Sequence, residues 1–459
     1  MGVLAAQAGV EAGEIASEAA RPETWISIFN GYAGVMLAAF FVTLVTTPLM
    51  RRLAVANGVV DRPDARKVHR RPIAYLGGVA VWCGIMAGIV LSYFGPELEL
   101  LIRFHEGAAE NPQTLRPFVV PPSVVLGLTV IMLIGLFDDV ASISPRLKLA
   151  GQLFAAAALA LDDVGVRVAG GVLAPTLGAL LDNPELTWTI QLPATIFGQD
   201  QIPIDLIYWA GTAIIAVFVL GACNASNLID GLDGLLSGVT GIATVGLLAI
   251  SLMMIFDPDA SGDRDAARVI LCLAVLGACL GFLPHNFNPA NIFLGDTGSM
   301  LLGFVTIVII LMLGDTGRTD LVLAGLIVYA IPIIDTVLAI VRRKLSGKRM
   351  SDPDSDHLHH MLKRALGVKG AVFVLYGIGI GFAGLGVLIA SSGDRVVYTL
   401  TMVAASFLMV YATKIARMKA LEEQVASKDR AAAAAAEKPA APRPAPEAEP
   451  ASGAGARAT

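Results

Sequence analysis

The sequence predicts an all-α fold: a polytopic integral membrane protein of about 11 transmembrane helices, with its N-terminus outside and its C-terminus in the cytoplasm. Three observations carry that expectation. Of 459 residues, 55% are hydrophobic and only 15% charged, against roughly 25% charged in an ordinary soluble domain, which excludes a soluble globular enzyme. Eleven mostly apolar stretches approach the ~20 residues that span a bilayer. Lys and Arg are concentrated in alternate connections, the asymmetry that orients membrane proteins.

Residues 1–31 read as a polar lead-in: Glu11, Glu14, Glu18 and Glu23 stand against Arg21, without the basic start and apolar core of a secretory signal. The membrane domain covers 32–415. Its spans are placed at 32–50, 73–94, 119–136, 147–162, 204–222, 235–255, 266–283, 298–313, 321–341, 370–391 and 395–415, with internal Gly and Pro of the kind membrane helices tolerate. The connections after the first, third and ninth spans hold seventeen Lys and Arg, and the opposite side eight. The basic side is therefore assigned to the cytoplasm, in the inner (plasma) membrane of the cell. Residues 416–459 form a cytoplasmic tail. From about 431 it is rich in Ala, Pro and Glu, cannot bury a core and is expected to be disordered. The outer connections 95–118 and 165–203 have room for a short amphipathic piece. Cys83, Cys223, Cys272 and Cys279 show no metal-ligand or CxxC spacing and read as small buried residues.

The polar chemistry collects on the cytoplasmic side, in DRPDARKVHRRP (61–72), FDDVASISPRLK (137–148), NASNLIDGLDG (224–234), PHNFNPANIFLGDTGS (284–299) and SDPDSDHLHHMLKR (351–364). Adjacent Asp138 and Asp139 repel unless a cation lies close, and Lys148 is on the same connection. Asp230 and Asp233, three apart, would face one way on a helical turn, with Asn224 and Asn227 a turn earlier. Such an oxygen-rich set could hold magnesium, grip a sugar nucleotide or cap a helix. Around Asp296, the turn Thr297, Gly298, Ser299 could aim backbone amides at phosphate. His357, His359 and His360, beside Lys363 and Arg364, suit phosphate or sugar contact better than zinc, since neither Cys nor HExxH accompanies them. Asp335, inside the ninth span, is expected to support the cytoplasmic site from behind. The tetrapeptide GDTG recurs at 314–317, one span beyond 295–298, so Asp315 is expected on the outer side as an ordinary surface residue. No nucleotide-binding P-loop occurs, because Arg349 follows Gly347 and Lys348.

Taken together, DRPDARKVHRRPIAYLGG, GLFDDV with ISPRLKLAGQ, NASNLIDGLDGL, FLGDTGSM, PIIDT and HLHH resemble the polyprenyl-phosphate N-acetylhexosamine-1-phosphate transferases (glycosyltransferase family 4). The HLHH form and the number of spans resemble its WecA/TagO-like branch, which acts on undecaprenyl phosphate and UDP-N-acetylglucosamine. The resemblance implies a polyprenyl phosphate lipid (undecaprenyl or decaprenyl) and a UDP-sugar as substrates, UMP and a lipid diphosphate sugar as products, and Mg2+ (or Mn2+) as cofactor. It further implies that Asn227 and Asp296 hold the metal and that Asp138 serves the lipid phosphate as base or by positioning it, with Asp139 beside it. Asn224, Asp230 and Asp233 would line the nucleotide pocket, His357, His359 and His360 would contact donor phosphate or sugar, and Lys67, His69 and Lys148 would lie near the lipid phosphate. The product would begin a cell-envelope glycan such as lipopolysaccharide, teichoic acid or arabinogalactan. A homodimer is left open, and no nucleic acid is expected. Ser355 stands where the family's loop commonly has Arg, so another UDP-N-acetylhexosamine or a UDP-muramoyl-pentapeptide stays open as donor. From a different class, an ion-coupled transporter would explain the spans but not five polar runs on one face.

Overall fold

The computed structural model describes residues 23–62, 72–98, 100–105, 119–196, 199–345 and 358–392, with Met418, Val425 and Asp429 beyond them. Lys67, His69, His357, the expected span at 395–415 and the tail from 431 lie outside the described residues.

The described chain is overwhelmingly helical: α1 (Trp25–Ala56), α2 (Gly77–Tyr93), α3 (Pro122–Ala141), α4 (Pro145–Leu161), α5 (Leu206–Ile229), α6 (Leu235–Ile255), α7 (Asp265–Asn286), α8 (Gly295–Met312), α9 (Thr319–Val328), α10 (Ala330–Leu345) and α11 (Leu358–Ser392). Among the described residues, seven helices are long and apolar enough to cross a membrane, or nine spans if each of two bent pairs counts as one, and the shorter apolar α2 adds to these. Ten of the eleven expected spans fall on these helices, the ninth on α9 and α10, which meet at 79° around Tyr329. The protein is a multi-pass membrane protein.

Two expectations need correction. α1 begins at Trp25, inside the stretch read as lead-in, because Thr24 and Ser27 form a reciprocal capping box that closes the helix start. The connection 165–203 holds more than the short amphipathic piece expected there. A helical segment at 166–178 leaves α4 at 83°, and an antiparallel hairpin follows, β1 (Thr187–Ile196) with β2 (Gln199–Asp205), pairing Trp188 with Ile204 and Thr189 with Pro203.

The axis of the bundle is α8. Every one of its residues except Asp296 is buried, as befits a helix apolar all round rather than along one stripe. Its first turn is wedged between α2 and α3, and glycine allows this. A Cβ at Gly78 would lie 2.1 Å from the Gly298 nitrogen, and one at Gly135 would lie 2.4 Å from the Thr297 Cα. The chain entering α8 is pinned as well, since Gly77 and Gly78 donate to the carbonyls of Phe293 and Leu294 at 3.0 and 2.9 Å, and Phe293 donates to Ala74 at 2.9 Å.

Gly78→Ala and Gly135→Ala should therefore each destabilise the protein by about 1–3 kcal/mol through overpacking against backbone. Gly221→Ala, whose Cβ would meet nothing within 4 Å, should leave thermal melting in detergent unchanged or raise it. Equal melting of all three variants would contradict the wedge.

Candidate active site

The connections α1–α2, α3–α4, α5–α6 and α7–α8, together with the start of α11, meet at one end of the bundle, and they meet on named atoms. Asp139, in the last turn of α3, takes three hydrogen bonds from α8: the Asp296 amide at 2.8 Å, the Thr297 amide at 3.0 Å and the Thr297 hydroxyl at 2.6 Å. Those amides are thus engaged by a carboxylate. The expectation that they would face phosphate is overturned, because α8 begins at Gly295 and Asp139 caps it.

That cap turns the Asp296 side chain toward Lys148, at the start of α4. The ammonium bridges Asp296 Oδ2 at 2.5 Å and Asp138 Oδ2 at 2.7 Å. Asp138 Oδ1 accepts from the Ile143 amide at 3.0 Å, closing the short α3–α4 connection, and Ser144 caps α4. The other Asp296 oxygen accepts from Asn227 Nδ2 at 2.8 Å, and the same nitrogen lies 2.9 Å from Ser299 Oγ. Asp138, Lys148, Asn227 and Asp296, separated by up to 158 positions in sequence, form one centre.

The DGLDG turn lies beside it. Asp230 and Asp233 do not share a helical turn as the spacing suggested, because α5 ends at Ile229 and Asp230 already has non-helical backbone. Asp233 accepts from Asn288 Nδ2 at 2.8 Å and the Ala290 amide at 3.0 Å. Asp230 has no hydrogen bond or ion pair among the described residues. Burial, then the charges of Asp296, Asp139 and Asp233, push its carboxyl up to about 8. Asn224 sits a turn back on α5, donating to Gln152 Oε1 at 3.0 Å and the Leu220 carbonyl at 2.7 Å.

The histidines divide. His359 is 1% exposed, its Nδ1 lies 3.2 Å from Asp335 Oδ2, and Asp335 is equally buried. His360 is half-buried against it, ring centroids 4.3 Å apart. Of the two, only His360 has surface to offer a ligand. Asp335 reaches the site end of the bundle through His359.

Among the described residues, no three His, Cys, Asp or Glu side chains form a metal cage. Among the described residues the site offers a hard-oxygen set, Asp296, Asn227 and Asp230, with Lys148 held between Asp296 and Asp138. Magnesium suits that set, because it is usually held by one or two carboxylates, water and substrate phosphates rather than by an all-protein cage.

Several contributors were not evident from the sequence. Gln152 is fully buried between Asn224 and Met300. Asn286 accepts from the Gly234 amide and Ser237 hydroxyl, both at 3.1 Å. Tyr75 faces the same acidic centre, and burial with the nearby charges of Asp61, Asp139 and Asp296 raises its hydroxyl well above the usual range. Their common signal was position beside a motif, which does not separate support from spacer.

The second GDTG corrects another expectation. Asp315 is not an ordinary surface residue: its side chain is 10% exposed, pairs with Arg264 at 2.9 Å and accepts from the Gly165 amide at 3.1 Å. It does lie past the opposite end of α8, whose 18 residues make a helix about 27 Å long at about 1.5 Å per residue. Asp296→Asn should keep thermal stability near wild type and lower turnover at least about a hundredfold, about 2.7 kcal/mol. Asp315→Asn should cost about 1–3 kcal/mol of stability with near-normal turnover of the folded fraction. The reverse pattern in melting and turnover would overturn this division of the two ends.

The geometry can be set beside known proteins. Residues 121–314 match the family described as glycosyl transferase family 4. The probable undecaprenyl-phosphate N-acetylglucosaminyl 1-phosphate transferase of Bacillus subtilis (strain 168) is 30% identical over 354 residues, 76% of this chain and 83% of that protein. The decaprenyl-phosphate N-acetylglucosaminephosphotransferase of Mycolicibacterium smegmatis (strain ATCC 700084 / mc(2)155) is 33% identical over 364 residues, 74% and 77% of the two chains. The undecaprenyl-phosphate alpha-N-acetylglucosaminyl 1-phosphate transferase of Escherichia coli (strain K12) is 27% identical over 347 residues, 74% and 78% of the two. The family match spans Asp138, Lys148, Asn227 and Asp296, and with relatives of 30% and 33% identity over about three quarters of its length the chain belongs to glycosyl transferase family 4, the polyprenyl-phosphate N-acetylhexosamine-1-phosphate transferases.

Proposed function

We propose that the protein transfers N-acetylglucosamine 1-phosphate from UDP-N-acetylglucosamine to a polyprenyl phosphate, on the cytoplasmic face of the plasma membrane. The observation that carries this is the single centre in which Lys148 bridges Asp138 and Asp296 beside Asn227, at the end of a membrane bundle where a lipid headgroup and a water-soluble nucleotide can both arrive. The basic residues of the connections at that end favour the cytoplasmic side. The relatives named for this reaction favour the donor and acceptor.

In the reaction an oxygen of the lipid phosphate attacks the sugar-bearing phosphorus. A new P–O bond forms, the bond to the bridging oxygen breaks, and UMP leaves with that electron pair. Both reactants are anions, so screening and alignment dominate the barrier. Lys148 supplies a fixed positive charge between the two carboxylates. A phosphate monoester is already largely ionised at pH 7, its second pKa being ≈ 6, so Asp138 acts chiefly by holding Lys148 and the α3–α4 connection in place. Asp230 and Asp233 line the nucleotide side, and His360 has exposed ring surface for donor phosphate or sugar. Asp296 and Asn227 would hold a magnesium ion, with Asp230 as a neighbouring carboxyl that has no partner among the described residues. When bound, that ion would screen the donor pyrophosphate and the leaving UMP.

Purified protein incubated with UDP-N-acetylglucosamine, polyprenyl phosphate and magnesium should release UMP and form a lipid diphosphate sugar. Exhaustive chelation should reduce UMP release at least a hundredfold, and added magnesium or manganese should restore it. Release of UDP instead of UMP, or undiminished release after chelation, would refute the corresponding part of the reading.

A further inference from the structure

Four side chains converge on the DGLDG turn from behind. Asn286 accepts from the Gly234 amide at 3.1 Å, and Tyr376 on α11 donates to the Gly234 carbonyl at 2.5 Å. Asn288 holds Asp233 at 2.8 Å. The fourth is His359, whose Nε2 would stand 2.6 Å from a Cβ built on Gly231. Its other ring nitrogen is 3.2 Å from Asp335, and both residues are 1% exposed. Asp335 belongs to α10, which leaves α9 at 79°. Tyr329, at the bend, is hydrogen-bonded to Ser226 on α5, so the bend is tied to the helix that ends in the turn.

From this juxtaposition we infer that Asp335 is a positioning residue for the donor: it fixes the His359 ring, and the ring sets the Gly231 backbone and so the aim of the adjacent Asp230. The inference rests on the proposed function and deepens it. Asp230 is the one residue of the turn whose carboxylate has no partner among the described residues, while Asp233 and Gly234 are held by hydrogen bonds and His359 stands against Gly231. A carboxylate that must meet a ligand without a partner of its own is aimed only by its backbone. Asp335 touches no substrate in this scheme. Its carboxylate accepts from the His359 Nδ1–H, and an Asn side chain at 335 can still accept there, whereas Leu cannot.

The test uses full-length protein in detergent, comparing wild type with Asp335→Leu, Asp335→Asn, Gly231→Ala and the double variant Asp335→Leu/Gly231→Ala. Both KM values and direct binding of UDP-N-acetylglucosamine are measured. Asp335→Leu and Gly231→Ala should each raise the KM for the donor at least tenfold while the KM for polyprenyl phosphate stays within about twofold. Asp335→Asn should lie within about threefold of wild type. The double variant should be no more than about twofold worse than the poorer single, since both changes act by displacing the same His359 ring against Gly231. Multiplying effects, an Asn variant as impaired as Leu, or an unchanged donor KM in Gly231→Ala would overturn the inference. If Asp335→Leu does not fold, Gly231→Ala and Asp335→Asn decide it. Wild-type protein that binds the donor but releases no UMP, with binding weakened tenfold in the variants, would overturn the reaction and keep the positioning role. Normal wild-type turnover with unchanged variants would do the reverse.

Discussion

A fully buried helix presents its two ends as a problem in electrostatics, and the structure is arranged around solving it for α8. The amides at the start of a helix carry partial positive charge and the carbonyls at its end partial negative charge, and neither set can reach bulk water here. At the start, Asp139 supplies the anion and satisfies two amides and the Thr297 hydroxyl. At the end, Arg268, itself buried and paired with Asp265, donates to the Met312 carbonyl at 3.3 Å. The site follows from the first of these caps. With the start of α8 locked to α3, Asp296 is the one residue of that helix left at the surface of the core, and it faces the α3–α4 connection that bears Lys148.

This arrangement divides an adjacent pair of acidic residues into different tasks. Asp139 is spent on the backbone of α8 and has no oxygen left without a partner, whereas Asp138, one position earlier, faces Lys148. Two carboxylates side by side in a partly buried place would otherwise oppose one another. Here a helix start takes one and an ammonium the other. The same economy of partners runs through the DGLDG turn, where Asp233 is held by Asn288 and the Ala290 amide and Asp230 has no partner among the described residues. The site therefore combines rigid carboxylates that build the scaffold with a few that remain able to meet charge.

Much of this was legible in the sequence, and the limits have physical reasons. Apolar runs of spanning length are a local property, so ten of the eleven spans fall on described helices. The gathering of polar motifs at one end follows from alternation of spans alone, and Asp138, Lys148, Asn227 and Asp296 do meet there. Which carboxylate faces inward is decided by partners up to 158 positions away, and no local pattern reveals that. Asp139 as a cap, the burial of His359 behind Gly231, and the separation of Asp230 from Asp233 are all of this kind. The β1–β2 hairpin was missed because strands of mixed polarity in a long connection give no period strong enough to stand out beside the spans.

The two GDTG copies show why local identity is a poor guide to role. Both place an Asp next to an end of the same helix, but the ends have opposite polarity. Asp296 stands in the first turn, where the helix itself favours negative charge and leaves the carboxylate free to share Lys148 and Asn227. Asp315 lies just past the last turn, where the carbonyls disfavour it, and it is retained by Arg264, with Arg268 close by. The first carboxylate can exchange partners without loosening the bundle, because the Asp139 cap holds the helix start independently. The second is the counter-charge of a cation that also reaches the carbonyls of Asp162 and Asp163, so it ties α8 to the far end of α4. At the start of α8 the holding of the helix falls to Asp139 and leaves Asp296 to Lys148 and Asn227, whereas at its far end Asp315 is itself part of what holds the fold together.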